Sequence, residues 1–359
     1  MQRAISARGL RFLPKVATII TVGLISAAIA YQASAQVNVY TDPVGFISLG
    51  VQGSGYSFLG LGMTQVPVLR GAISATAGQQ VTLNSTLTPG QYNPTNTVGA
   101  ATDPSYFIEY TSGVDAGIMD DIVSNDAAAV YTTVADGANP GDTFKIYPHW
   151  TIGQVFGAAD AAGLQGGSTS SSADNILVWN PVTQTPATYW YKNAGAIGGT
   201  GWRAGAATSV NAANAVLYIE QGFDILRRVS GNLSVQLVGG VKLSNTVSLI
   251  YGPGYTFAGN VEAAGIPLSV TGLYTGSDST GLHGGSTSSS ADNVLIWNPA
   301  TQTPTTYWYK NAGAIGGTGW RAGAATSVDA STNQIPLTGV AKVLRRVSGD
   351  FEWTIPAQY

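Results

Sequence analysis

The chain contains no cysteine, and only two of its 359 residues are histidine. Without Cys there is no disulfide framework, no thiolate zinc or iron–sulfur site and no Cys nucleophile. Two histidines are too few for a His-rich metal centre. Charge is also scarce, at 10% of the chain, against about 25% in an average soluble protein. Glu109, Glu220, Glu262 and Glu352 are the only glutamates, so the paired carboxylates of a glycosidase would have to draw on Asp. No glycine-rich phosphate loop or G-x-S-x-G elbow stands between a strand and a helix. These absences discount an enzyme. Sparse, scattered Lys and Arg discount a nucleic-acid partner.

What is present begins with a leader. Arg3, Arg8, Arg11 and Lys15 make a basic start, Val16 to Ala30 is mostly apolar, and Ala33-Ser34-Ala35 supplies small residues for a signal peptidase. The apolar stretch is shorter than the ~20 residues that span a bilayer. It therefore reads as a secretory signal cleaved after Ala35, and no Cys follows to carry a lipid. Removal leaves 12 basic against 19 acidic groups, a mature charge of −7. The expected location is secreted or associated with the cell envelope.

The strongest pattern is a duplication. Residues Gly166–Val210 recur at Gly284–Val328, displaced by 118, with four differences: Ile176/Val294, Val178/Ile296, Val182/Ala300 and Ala187/Thr305. Leu226-Arg227-Arg228-Val229-Ser230-Gly231 recurs at the same offset from Leu344 to Gly349. The register extends back to Thr151–Phe156, aligned with Ser269–Tyr274. A gap-free offset over such a length means a duplicated structural unit. It divides the chain into a signal (1–35), an N-terminal β module (36–147), repeat unit 1 (148–240) and repeat unit 2 (241–359). Gly55-Tyr56-Ser57-Phe58-Leu59-Gly60 resembles Gly254-Tyr255-Thr256-Phe257-Ala258-Gly259, so the first module is compatible with a divergent third copy.

Glycine is abundant, 46 residues, and with Pro and Asn it punctuates short apolar runs. Ile176-Leu177-Val178-Trp179 stops at Asn180-Pro181 and reads as a buried strand. Thr188-Tyr189-Trp190-Tyr191-Lys192 reads as a second, aromatic strand. Thr151 before Ile152, Val155 and Phe156 predicts a capped short helix, with Ser269, Val270, Leu273 and Tyr274 predicting another in the copy. The fold class expected is mainly β: tandem β-sandwich or barrel-like modules with one short helix per repeated unit.

Candidate binding residues lie in the repeated aromatic set. Trp190, Trp202 and Arg203, with Trp308, Trp320 and Arg321 in the copy, could stack on and grip a glycan; the competing reading makes the aromatics core. Trp179 and Trp297 sit in uninterrupted apolar runs and are expected to be the buried ones, whereas Trp202 and Trp320 adjoin glycine loops and are expected to be accessible. Asp115, Asp120, Asp121 and Asp126 are the densest carboxylates, but their spacing fails the calcium-loop pattern. No metal ligand set and no cofactor are assigned; calcium stays open as an alternative that no motif supports, since other oxygen-rich sites have no sequence signature. His149 and His283 are not shared between copies, so no Ser-His-Asp site is assigned.

Several segments recur in a familiar order: Asp42-Pro43-Val44-Gly45-Phe46, Tyr106-Phe107-Ile108-Glu109-Tyr110-Thr111-Ser112-Gly113 before Asp121-Ile122-Val123, Gly141-Asp142-Thr143-Phe144-Lys145-Ile146, and Pro148-His149-Trp150-Thr151-Ile152. In this order the chain resembles an uncharacterised family of signal-peptide-bearing proteins of verrucomicrobial bacteria. The resemblance implies an exported bacterial protein and carries over no assigned activity or catalytic residues. The leading expectation is a non-enzymatic structural, surface or adhesive protein, with envelope components, glycans or its own copies as partners. A carbohydrate-binding array comes second. An outer-membrane barrel comes third, from the alternation of Phe351, Trp353, Ile355, Ala357 and Tyr359.

Mass spectrometry of the exported protein should find Gln36 as the first residue; an intact chain from Met1 held in the inner membrane would overturn the cleaved leader.

Overall fold

The computed structural model describes residues 42–195, 198–313 and 315–358. The leader, its cleavage point at Ala35 and the terminal Tyr359 lie outside the described residues. From Pro43 onward the chain is one compact unit. It is mainly β, with one short α-helix and a closed six-stranded barrel.

Two five-stranded antiparallel sheets carry the duplication. The first runs Gly201–Ala204, Thr185–Lys192, Asn175–Asn180, Phe223–Arg227, Gly55–Leu59; the second runs Gly319–Ala322, Thr303–Lys310, Asn293–Asn298, Val340–Arg345, Gly254–Gly259. Each is joined by a two-stranded ribbon, Val44–Val51 with Leu233–Gly240 and Thr246–Ile250 with Phe351–Ile355. Gly55–Leu59 is thus the edge strand of the first duplicated sheet, in the place Gly254–Gly259 occupies in the second. There are two units, and the first is interrupted. Residues 61–149 stand between its edge strand and its next element, where the second unit needs only residues 260–265. The inserted segment closes into the barrel, whose strands lie between Leu69 and Pro148. The sheets therefore divide the chain differently from the constant 118-residue offset.

Barrel strands are short, from four to nine residues. Ile73, Val81, Ile108, Tyr110, Ile122, Val130, Phe144 and Ile146 fill the interior as a core of its own. A second, larger core spans both repeats and takes in Phe107 and Tyr147 from the barrel. The alternating C-terminal strand turns Phe351, Trp353 and Ile355 into that core, and the Trp353 indole donates to Thr271 O at 2.6 Å.

The expected helix forms at Ile152–Phe156, with Thr151 and Gln154 making a reciprocal capping box. The second unit has only a 3-10 turn, Leu268–Val270, with no side-chain cap. Strand pairing explains this. Thr151 pairs with Val216 and Pro267 with Gln334, their equivalents 118 residues apart. Structurally, then, Thr151 corresponds to Pro267 and not Ser269, and Pro has no hydroxyl to offer. Thus the expectation of one helix per unit is corrected by a two-residue slip that sequence alignment hides.

The two units hold each other reciprocally. In the hairpin after Asn175–Asn180, Asn180 Oδ1 accepts from Val182 and Thr183 N–H, and Gln184 takes a positive φ of 54°. Its side chain reaches the other unit: Tyr255 N–H donates to Gln184 Oε1 at 2.7 Å, and Gln184 Nε2 donates to Tyr255 O at 3.0 Å. Trp179 Nε1 donates to the same oxygen at 2.9 Å. Gln302 and Trp297 treat Tyr56 in the same way. Gly55 and Gly254 permit this, because a Cβ at either would overlap the Gln side chain. Where the central strands approach, equivalent positions meet as complements. A Cβ on Gly222 would overlap Val340, its counterpart. Asp224 is buried next to its counterpart Lys342, whose Nζ lies 4.5 Å from the Tyr255 ring and 4.7 Å from the Phe257 ring.

Burial pushes Asp224 up to about 8, with Lys342 opposing. Between roughly pH 4 and 8 the folded protein therefore holds a proton that the unfolded chain has released, and stability falls as pH rises through that window. Asp224→Asn should remove this contribution, worth at most about 1.4 kcal/mol per pH unit. In urea titrations the variant should gain on the parent steadily from pH 5 to pH 8; a pH-independent difference would refute it.

Candidate functional site

All six residues singled out for glycan stacking are inside the protein. Trp190, Trp202, Trp308 and Trp320 are buried. Trp190 Nε1 donates to Gly205 O and Trp308 Nε1 to Gly323 O, both at 2.9 Å, and Trp202 Nε1 donates to Gly157 O at 2.8 Å. Arg203 and Arg321 are 3% exposed. Arg203 donates to the carbonyls of Trp202, Thr208, Gly198, Gly199 and Thr200, and Arg321 repeats the set around Gly316–Thr318. The glycine loop is thus folded over an arginine that satisfies its carbonyls, while Trp202 turns to the other face of the strand and packs against Phe156 and Tyr191 in the core. Trp179 and Trp297 are the half-buried pair. The sequence expectation is reversed.

The other repeated polar residues are also structural. Asp174 accepts from Arg227 Nη1 at 2.9 Å, and from Arg228 N–H and Gln165 N–H at 2.7 Å. Asp292 holds Arg345, Arg346 N–H and His283 N–H in the copy. Asp126 accepts backbone N–H groups in its own loop, and Asp115 accepts from Gly137 N–H in another. His283 pairs with Asp278 at the surface. Among the described residues no three or more His, Asp or Glu side chains converge as a metal site.

A cleft of about 520 Å³ opens where the barrel meets the first sheet. The barrel side supplies Asp120 and Asp121 from the strand Met119–Asn125, Thr133, and Asp103 from the hairpin Asn96–Asp103. The sheet side supplies Trp179, Tyr189, Tyr218, Glu220 and Gln221, and Tyr251 enters from the second unit. None of its lining residues is a lysine or arginine.

Within it, the groups differ in how far they are committed. Asp120 accepts from Thr133 Oγ1 and Val134 N–H. Asp121 sits 2.9 Å from His149 Nε2. His149 is 4% exposed, wedged between the Phe107 and Tyr218 rings, with Nδ1 unpartnered among the described residues. The Asp103 carboxylate and the Tyr189 and Tyr251 hydroxyls form no hydrogen bond among the described residues. Burial raises Asp103, helped by Asp121, and raises Asp120 against its hydrogen bonds. Burial pushes Glu220 up to about 7, with its own N–H opposing and Asp121 adding to it. Desolvation therefore dominates at Asp103, Asp120 and Glu220.

The duplication supplies an internal comparison. Near the same hairpin in the second unit lies a smaller hollow of about 200 Å³, lined by Gly50, Trp297, Pro299, Pro336, Thr338 and Gly339. Position for position, Tyr218 stands against Pro336, Glu220 against Thr338, Gln221 against Gly339, and Tyr251 against Gln52. The framework pairs are retained (Trp179/Trp297, Pro181/Pro299, Arg227/Arg345), whereas Tyr218, Glu220 and Gln221 have small or apolar counterparts and Tyr251 a non-aromatic one. Of these groups sequence reading noted Glu220, Asp120, Asp121 and His149 only in rejecting other sites. Comparing the two copies between 216 and 222 was the signal that could have found them.

No family model, no curated protein and no solved structure matches the chain.

Trp202→Ala should cost about 3–5 kcal/mol as a core truncation. Trp179→Ala, which loses a half-buried ring stacked on Phe257 at 5.1 Å, should cost less by at least about 1 kcal/mol. Denaturant unfolding of both variants checks the order, and the opposite order would contradict the burial described above.

Proposed function

We propose that this is an exported, non-enzymatic surface or adhesive protein of a bacterial envelope: a rigid duplicated β scaffold whose working surface is the cleft between barrel and first sheet. The observation that carries the reading is the asymmetry of the two copies. Their framework residues agree, yet only at the copy interrupted by the barrel do Tyr218, Glu220 and Gln221, joined by Tyr251 from the other copy, gather around an open volume. A scaffold alone has no use for that divergence.

Support for export comes from the basic, apolar and small-residue order of positions 3–35. Binding without turnover is favoured because the two histidines are unshared between the copies and the repeated Trp and Arg are consumed internally. The barrel turns its large apolar side chains inward, opposite to the outward apolar band of a membrane barrel, which favours an envelope protein in contact with water.

Beads coated with the mature chain should adhere to envelope preparations of the producing cell. Tyr218→Ser should reduce that adhesion about tenfold, the loss of one aromatic contact, in a variant that circular dichroism shows to be folded. Changing the counterpart, Pro336→Ser, should leave adhesion intact. Adhesion equally sensitive to both, or to neither, would overturn the cleft as the working surface.

A further inference from the structure

We propose that the cleft takes an organic ammonium ion, a small ligand with a protonated or quaternary amine, and not a neutral glycan. This rests on the reading of the cleft as the binding surface and names its ligand class. Two features argue together. The first is aromatic: Trp179, Tyr189, Tyr218 and Tyr251 line one volume, and ring faces attract ammonium groups through the ring quadrupole, most strongly where water is excluded. The second is the sign of the remaining surface. Asp103, Asp120, Asp121 and Glu220 lie in the same cleft with no lysine or arginine among its lining residues. A soft, weakly hydrated cation supplies the missing charge and also fills the apolar faces, which a hydrated metal ion does not.

The volume decides in the same direction. About 520 Å³ holds a ligand of several carbon atoms, much more than a bare ion needs. The Asp103 carboxylate and the hydroxyls of Tyr189 and Tyr251, uncommitted among the described residues, are available to accept from an ammonium N–H or to face a methylated one. The second unit provides the negative control within the same molecule: Thr338, Pro336 and Gly339 replace Glu220, Tyr218 and Gln221, so its hollow lacks the glutamate and tyrosine of the first.

Binding a cation is coupled to the protonation of Glu220. The charged and titratable groups around it are Asp121 with His149 behind it, Asp103 and Asp120 across the cleft, and Tyr218 and Tyr251. Glu220 is half protonated at about pH 7, and a bound cation favours the ionised form. Affinity therefore rises as pH increases through 7 and levels off above it.

The test is isothermal titration calorimetry of the full mature chain with choline, putrescine and cellotetraose at pH 5.5 and 8. At least one amine should bind, about tenfold more tightly at pH 8, a one-unit protonation effect. Glu220→Gln should weaken it about tenfold and flatten the pH dependence, Tyr251→Leu should weaken it severalfold, and Thr338→Val should change nothing. Circular dichroism and melting curves confirm that each variant is folded, and Asp103→Asn serves as a second carboxylate variant should Glu220→Gln unfold. Cellotetraose binding that is lost in Tyr251→Leu, with neither amine bound, would overturn the ammonium assignment and leave the cleft reading standing. Amine binding insensitive to all the cleft variants would overturn both. Silence from both amines at both pH values would overturn the ammonium assignment.

Discussion

The reciprocal grip between the two copies is the constraint on which the rest of the structure depends. Each duplicated sheet ends in a strand with an outer edge of unpaired backbone groups, a feature that proteins normally have to cover or blunt. Here each copy covers the other's edge. Gln302 satisfies both backbone groups of Tyr56, and Gln184 satisfies both of Tyr255. Thr338 O receives the N–H of Gly60, and Glu220 O receives that of Gly259. One side chain thus replaces a missing strand at each edge. The left-handed backbone of Gln184 and Gln302 aims the amides and is offset by the two hydrogen bonds each amide makes across the join.

With the edges closed in this way, the first unit tolerates an interruption of nearly ninety residues. Gly60 and Trp150, at its ends, stay anchored, Gly60 by Thr338 O and Trp150 by its pairing with Leu217 and its indole bond to Met63 O. The barrel is also fastened at a distance. Glu109 from the strand Tyr106–Tyr110 is buried against Lys242 in the link between the two units, and Ser244 Oγ donates to the same carboxylate. Lys242 further donates to Ser244 O and Asn245 O. A buried pair with every donor committed orients its elements more than it adds net stability. That orientation sets the barrel's acidic strand opposite Tyr218 and Glu220.

The legible part of this fold was the part governed by local pattern. Ile176–Trp179 ends at Asn180-Pro181 in the structure as it does by turn chemistry, and the aromatic run Thr188–Lys192 pairs with it as a strand. The mainly β class followed from those runs. Relations across the insertion were less visible. Gly55–Gly60 looked like the trace of a third copy because the barrel had changed its spacing to Gly254–Gly259. Trp202 looked exposed because glycine loops usually are, and no local rule says that Arg203 will collect their carbonyls. The cleft was the least visible, since Asp103, Asp121, Tyr189, Glu220 and Tyr251 come from five segments that no periodicity links.

The complementary meeting of equivalent positions has a consequence for the history of the molecule. In a dimer of identical chains, a residue on the twofold axis faces itself. Val340 would then press on Val340 where the structure fits a glycine, and Lys342 would face Lys342 where it now has Asp224. Steric overlap and like-charge repulsion would both oppose assembly. Joining two copies in one chain lifts that restriction, because each half of a former self-contact can mutate without changing the other. The present sequence has used that freedom at the join, so it can no longer be separated into two interchangeable halves.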